Sequence, residues 1–146
     1  MYDNWVAEIE SDVFTYMQAL LVEKSDAPFP QLTCTTSNQN ESIDGVSDFP
    51  TLYVHLLSPI EIGNDLENED VSGVRATFEL QIYSLNPDEL NKIISTCVRI
   101  MKHLRFNVNM FPDPQVANKK YFAIARFSRV MSKGELNYLM EGEFSV

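Results

Sequence analysis

Between residues 73 and 104 the hydrophobic period changes from two residues to between three and four, and this change constrains the fold most. Residues 74–82 alternate apolar and polar side chains without a break, which predicts a strand with one buried face. Residues 90–104 carry apolar side chains at three- and four-residue steps, which predicts an amphipathic helix. The junction, residues 86–89 (Asn-Pro-Asp-Glu), offers an N-cap, a proline suited to the first turn and a glutamate that can complete a capping box. The predicted core face comprises Val74, Ala76, Phe78, Leu80 and Ile82 of the strand and Leu90, Ile93, Ile94, Cys97, Ile100, Met101 and Leu104 of the helix.

The rest of the chain adds one helix and several strands to this unit. In chain order we expect a helix over residues 4–24, strands over 31–36, 51–57 and 74–82, the helix just described, strands over 106–111 and 121–131, and a short strand or helical turn over 136–140. Residues 37–48 and 116–120 are polar, which predicts a loop and a turn. The predicted fold is one α+β domain over residues 1–146, in the order α-β-β-β-α-β-β. Its mostly antiparallel or mixed sheet has four to five strands, with two helices packed on one face.

Length and composition fit a single domain with its own core. The chain has 146 residues, of which 45% are hydrophobic. No apolar run approaches the ~18 residues of a membrane span, and the first residues lack the basic segment of a secretory signal, so no membrane association is expected. Cys34 and Cys97 stand alone in the sequence, which favours two buried thiols in a reducing cytoplasm.

Acidic residues concentrate in the first half of the chain. The net charge is −10, but the chain carries −13 up to Val74 and +3 from Arg75 onward. This balance argues against a protein that grips a nucleic acid backbone by itself. The acidic half serves either solubility alone or contact with a partner.

Residues 58–72 form a predicted acidic loop that joins two strands and contains no base. Its acidic residues are Glu61, Asp65, Glu67, Glu69 and Asp70. Such length is typical of functional or disordered connections, and the spacing and missing central glycine do not fit an EF-hand. We expect the loop to be mobile in the free subunit. It either lines a channel in an assembly, where its carboxylates repel passing DNA, or is a surface loop without a role.

The sequence shows no constellation of residues that indicates catalysis. His55 and His103 lack the neighbouring His or Cys residues of a zinc site. The chain also has no nucleophile elbow and no glycine-rich phosphate loop. We therefore expect no catalytic residue, no bound metal and no cofactor.

Three segments together resemble phage tail completion proteins. These are residues 49–54 (FPTLYV), 76–84 (ATFELQIYS) and 124–134 (IARFSRVMSKG), and the resemblance extends over residues 5–138. The family has no catalytic signature, so the resemblance lies in the order of the segments and in the pattern of residue types within them. Residues 37–48 depart from it, because this loop is longer than the family pattern leads us to expect.

The resemblance implies a tail completion or tail terminator protein of a long-tailed phage or prophage. Such a subunit is expected in a ring, commonly a hexamer, at the head-proximal end of the virion tail, and in the host cytoplasm during assembly. The ring caps the tail tube protein and provides the docking surface for the head–tail connector protein, while DNA passes through without specific binding. The alternatives are a head–tail stopper or minor capsid protein and, from another class, a small-molecule-binding or enzymatic α+β domain.

A ring needs a heterologous interface, in which two different sides of the subunit meet. Residues 121–131 have two apolar faces, which indicates a strand either in the sheet interior or at an assembly interface. Because they lie among late basic residues, we expect them to form one side of the ring contact, with acidic positions in the first helix forming the other. The predicted interface residues are Phe122, Ile124, Arg126, Phe127 and Arg129 on the first side and Glu8, Glu10 and Asp12 on the second. The free protein is either already a ring or a monomer that closes only on the tail tip. This hypothesis predicts that Arg126→Glu combined with Arg129→Glu preserves the fold and blocks assembly.

Overall fold

The computed structural model describes residues 4–36, 49–62 and 73–142. Within these ranges the helices are α1 (Ile9–Gln18), which follows a 3₁₀ turn (Asn4–Glu8) and continues into a π-helical turn (Ala19–Glu23), α2 (Pro87–His103) and α3 (Glu135–Met140). The strands are β1 (Thr33–Thr35), β2 (Thr51–Glu61), β3 (Val74–Ser84), β4 (Asn107–Met110), β5 (Gln115–Ala117) and β6 (Lys120–Met131). The predicted α-β-β-β-α-β-β order is present, α3 is the short element expected over residues 136–140, and β5 is an addition.

The strands form one mixed sheet in the order β1-β2-β3-β6-β4, and β5 pairs with β6 beside β4. β1 lies parallel to β2, and the other pairs are antiparallel. The α+β prediction is therefore confirmed, but the sheet has six strands where four to five were expected. Most of the turn predicted at residues 116–120 is in fact strand. Only Asn118 and Lys119, both with positive φ (51° and 64°), form the turn between β5 and β6, as a type I′ hairpin requires.

Two helices cover one face of the sheet, as the sequence predicts. α2 packs on β3 and β6, and α1 packs on β2. All five predicted core residues of β3 are buried, and so is the predicted α2 stripe except Ile94, which is half-buried. Phe78 at the centre of β3 meets Phe106 edge-to-face at 5.6 Å. The opposite face of the sheet is covered by no helix among the described residues.

The start of α2 contains a hydrogen-bond network that only partly matches the prediction. Asn86 is the N-cap, because its Oδ1 accepts from the amides of Asp88 (2.8 Å) and Glu89 (3.3 Å). The expected capping box is wrong in detail. Ser84 Oγ accepts the Asn86 amide at 3.1 Å and donates to Glu89 Oε1 at 2.7 Å, so a buried serine stands between the two capping partners.

The end of α2 is a Schellman motif without glycine. The Phe106 amide donates to Met101 O and the Arg105 amide to Lys102 O, while Arg105 adopts the left-handed conformation with φ 65°. This reversal directs Phe106 back into the core against Phe78. It also places β4 on the far side of β6.

β2 is longer than predicted and takes up the beginning of the acidic loop. Residues 58–61 belong to the strand, Glu61 pairs with Val74, and a bulge lies between Leu57 and Ile60. The assignment of Glu61 to a mobile loop is therefore wrong, because its backbone is part of the sheet ladder. The other four loop acids, Asp65, Glu67, Glu69 and Asp70, lie outside the described residues, as does the predicted loop 37–48.

Candidate subunit interface

β6 is a central strand whose two faces have different surroundings, and this corrects two predicted interface residues. Phe127 has 0% of its surface exposed and packs in the core, next to Phe78 of β3. Arg129 lies on the same side of the strand and is only 8% exposed. Neither side chain is available to a neighbouring subunit, since alternation along the strand turns both toward the helices. The expectation that Arg129→Glu preserves the fold is wrong for the same reason.

Arg129 joins three elements inside the subunit. Its Nη1 donates to the carbonyl oxygen of Leu104 at the end of α2 (2.8 Å), and its Nη2 pairs with Glu135 at the start of α3. Glu135 also accepts from the hydroxyl and the amide of Ser132 at 2.6 and 2.9 Å. These hydrogen bonds from Ser132, followed by the nearby Arg129 guanidinium, lower the pKa of Glu135. Arg129 therefore attaches α3 to the body of the domain.

Phe122, Ile124 and Arg126 lie on the sheet face that no described helix covers. Phe122 stacks on Tyr83 with ring centroids 6.2 Å apart, and Ile124 is half-buried. Arg126 is exposed and its Nη2 lies 3.7 Å from Glu79, a surface ion pair of small energetic value. These three predicted residues remain on the surface and thus remain interface candidates.

A polar ladder crosses the middle of this open face. The Tyr83 hydroxyl donates to Gln81 Oε1 at 2.7 Å, and Gln81 Nε2 donates to Glu79 Oε1 at 3.2 Å. Burial raises the pKa of Tyr83, with smaller contributions from Glu79 and Tyr53. The ladder fixes the side chains on which Phe122 packs and makes this part of the face rigid.

The acidic residues of the first helix separate into two groups. Glu10 Oε2 accepts the backbone amide of Leu56 at 2.8 Å, at a point of β2 beyond the end of β1. The same oxygen lies 3.2 Å from His55 Nδ1, without the alignment of a hydrogen bond, and the His55 ring stacks on Tyr53. Glu10 thus covers a bare strand edge within its own subunit. Its expected contact with a partner stays a prediction.

Glu8 and Asp12 instead border a cavity of about 180 Å³. The cavity lies where the first helical turns, the end of β6 and α3 meet. Its lining residues are Trp5, Glu8, Ile9, Asp12, Met131, Ser132, Lys133, Gly134, Leu136 and Asn137. Sequence reasoning missed this site, because three segments far apart in the chain form it.

The β4–β5 edge of the sheet carries exposed apolar side chains. Met110, Phe111 and Val116, on β4, β5 and the segment between them, are 39%, 76% and 62% exposed. Pro112 and Pro114 interrupt this segment, and their lack of an amide prevents continuous pairing with β6. Exposed apolar residues along a sheet edge are typical of a contact surface. The signal in the sequence was Phe111 beside two prolines.

Both histidines stack on tyrosines, and the two cysteines are buried or half-buried. His103 stacks on Tyr16 with ring centroids 6.4 Å apart, and its Nε2 lies 3.1 Å from the carbonyl oxygen of Leu139. Burial, with Glu23 as a second cause, raises the pKa of Cys34 to about 12, and burial also raises that of Cys97. Within the described ranges, no three His, Cys, Asp or Glu side chains are placed to hold a metal ion.

A comparison with protein-family models finds no match, and a comparison with curated protein sequences finds none either. Across the part of the chain that the structure describes, no helix has the length and apolar character to cross a membrane.

Proposed function

We propose that this chain is a tail completion or tail terminator subunit of a long-tailed phage or prophage. In this proposal several copies close into a ring, hexameric as in the proteins that the sequence resembles. The observation that carries the proposal is that the subunit has two dissimilar surfaces, an exposed apolar sheet edge and a cavity bordered by acidic residues. A closed ring requires this arrangement, because the same two surfaces must meet at every junction.

The first surface is the β4–β5 edge, with exposed Phe111 and Val116 and the hairpin turn that contains Lys119. The second surface is the start of the first helix, with Glu8 and Asp12 around a cavity lined by both polar and apolar residues. The two surfaces differ in shape and in charge, so each is better matched to the other than to a second copy of itself. This favours a head-to-tail contact over an isologous dimer.

The proposed mechanism is geometric and needs neither a reaction nor a cofactor. A ring seated on the last layer of the tail tube occupies the positions that further tube subunits need, so the tube stops growing. The upper side of the ring then receives the head–tail connector protein. The net charge of −10 suits a ring through which DNA moves, since like charge keeps the phosphate backbone from adhering.

Deletion of the gene from its phage or prophage tests this proposal. Electron microscopy of induced lysates should show tails of uncontrolled length and heads without tails, and expression of the intact chain in trans should restore uniform, head-bearing particles. Tails of normal length beside heads that have lost their DNA would point to a head–tail stopper. Normal particles without the gene would refute both assignments.

A further inference from the structure

We infer that Phe111 of one subunit inserts into the cavity beside Glu8 and Asp12 of a second copy of this chain. The inference rests on the proposed ring-forming function and makes its subunit contact specific. It concerns a protein–protein contact only and involves no covalent step.

Phe111 has the properties of an interface anchor. It is 76% exposed, the highest exposure among the large apolar side chains of the described residues. It follows β4 directly and precedes Pro112, so its backbone is held between the sheet edge and a residue with fixed φ. A large aromatic ring on a restrained segment loses little conformational freedom when it binds.

The cavity has the size to receive such a ring. Its volume is about 180 Å³, which exceeds the roughly 150 Å³ of a cavity that holds benzene. The half-buried Trp5 lines one side, and the buried core residues Ile9, Met131 and Leu136 lie at the base. Polar and charged residues line the rest, so an inserted ring would contact both apolar and polar groups.

Phe111 cannot reach the cavity of its own subunit. Met110, the preceding residue, pairs with Arg126 of β6, whereas the cavity begins at Met131, five residues further along that strand. Five residues of strand span roughly 17 Å, and β4 runs antiparallel to β6, so the chain moves away from the cavity at residue 111. Contact therefore requires a second copy, and the contact is heterologous.

The charges around the two surfaces are complementary. On the sheet edge, Lys119 and Lys120 outnumber Asp113, while at the cavity Glu8 and Asp12 outnumber Lys133. The excess is one positive charge on one surface and one negative charge on the other. Such charges orient the encounter, and the apolar insertion supplies most of the affinity.

Mixed cysteine cross-linking tests the contact in the purified full chain. Asp113→Cys and Asn137→Cys place one thiol two residues from the anchor and one at the cavity, since both positions are exposed and Phe111 itself is kept. At about 1 mM protein with a short bis-maleimide, the mixture of the two variants should yield at least ten times more dimer than either variant alone. Mass spectrometry should identify a peptide pair that joins positions 113 and 137.

The matched control replaces Asp113→Cys by Leu85→Cys, since Leu85 is also exposed (58%) but lies at the junction of β3 and α2. Absence of the 113–137 link in the mixture, or equal linking with Leu85→Cys, overturns the inference. If the link forms and deletion of the gene leaves tails normal, the contact stands and the tail function falls. If the link is absent and tail length depends on the gene, the function stands and this contact falls.

Discussion

Replacing Arg129 by methionine should destabilise the domain strongly, whereas the same change at Arg126 should not. The two arginines lie three residues apart on β6, on opposite faces of the sheet. Methionine keeps much of the length of the side chain and its apolar stem, so the comparison isolates the guanidinium. The difference between the stability losses of the two variants therefore measures how much burial increases the contribution of a guanidinium group.

The magnitude follows from the contacts of each guanidinium. Without Arg129, the carbonyl oxygen of Leu104 loses its 2.8 Å donor at a residue with no exposed surface, a loss of about 1–3 kcal/mol. Loss of the ion pair with Glu135 adds at most about 1 kcal/mol, because the side chain of Glu135 is 42% exposed. Arg126 loses only a 3.7 Å surface pair with Glu79, worth about 0–1 kcal/mol. We expect a decrease in the free energy of unfolding of about 1–4 kcal/mol for Arg129→Met and below about 1 kcal/mol for Arg126→Met.

Urea unfolding followed by circular dichroism measures both values, and an unchanged m-value shows that the same surface unfolds. In thermal scans, Arg129→Met should lower Tm by roughly 3–12 °C, at about 3 °C per kcal/mol for a chain of this size. Equal, small losses for the two variants would refute the burial argument. A large loss for Arg126→Met would show that the open face of the sheet is structural.

Four further predictions concern single groups. Ser84→Ala should lower the free energy of unfolding by about 1–2 kcal/mol in urea titrations, because the buried hydroxyl links the two residues that begin α2; no loss would mean that the network is dispensable. Glu135→Gln should be less stable than the parent above about pH 5, because a carboxyl with a lowered pKa stabilises the fold only while it is ionised. The difference in stability should shrink as pH falls below about 4.3, and a constant difference down to pH 3 contradicts this. Gly134→Ala should lower the free energy of unfolding by about 1 kcal/mol, because φ at this position is +86°, although no atom lies within 4 Å of the added Cβ. The loss should appear as a lower Tm, and an equal or higher Tm would contradict it. Cys34 and Cys97 should not react with a thiol reagent at pH 8 until urea unfolds the chain, since burial raises both pKa values; rapid reaction in native buffer would disprove this.

The parts of the fold that were predictable have strong local patterns. In β3 and α2, the hydrophobic period and the N-cap at Asn86 agree with one another, and no distant contact competes with them. The three residues of β5 have no comparable pattern, since their pairing with β6 is what makes them a strand. The capping box failed for a related reason. Ser84 belongs to the preceding strand, and its hydroxyl takes the place that Glu89 would occupy.

In β6, the alternation of side chains predicts which residues are buried, whereas their charge gave a wrong prediction. Odd-numbered residues of this strand face the helices, so the position of Phe127 in the core implies the same side for Arg129. A charged residue in a basic segment nevertheless suggested an exposed site. Arg129 is buried because the carbonyl end of α2 and a carboxylate of α3 receive its hydrogen bonds, and both partners come from other elements of the fold. Such partners are not visible in the strand itself.

The three acidic residues at the start of the first helix are close in sequence but point in two different directions. Glu8 and Asp12 are four residues apart and therefore lie on one side of the helix, whereas Glu10, two residues from each, points about 200° away from either. That rotation takes Glu10 to the edge of β2, where it accepts the Leu56 amide, and leaves Glu8 and Asp12 beside the cavity. The acidic positions that remain open to the proposed partner are thus fewer than the sequence indicated, and both border the cavity. The same helix covers a sheet edge with one face and carries the proposed contact residues on the other.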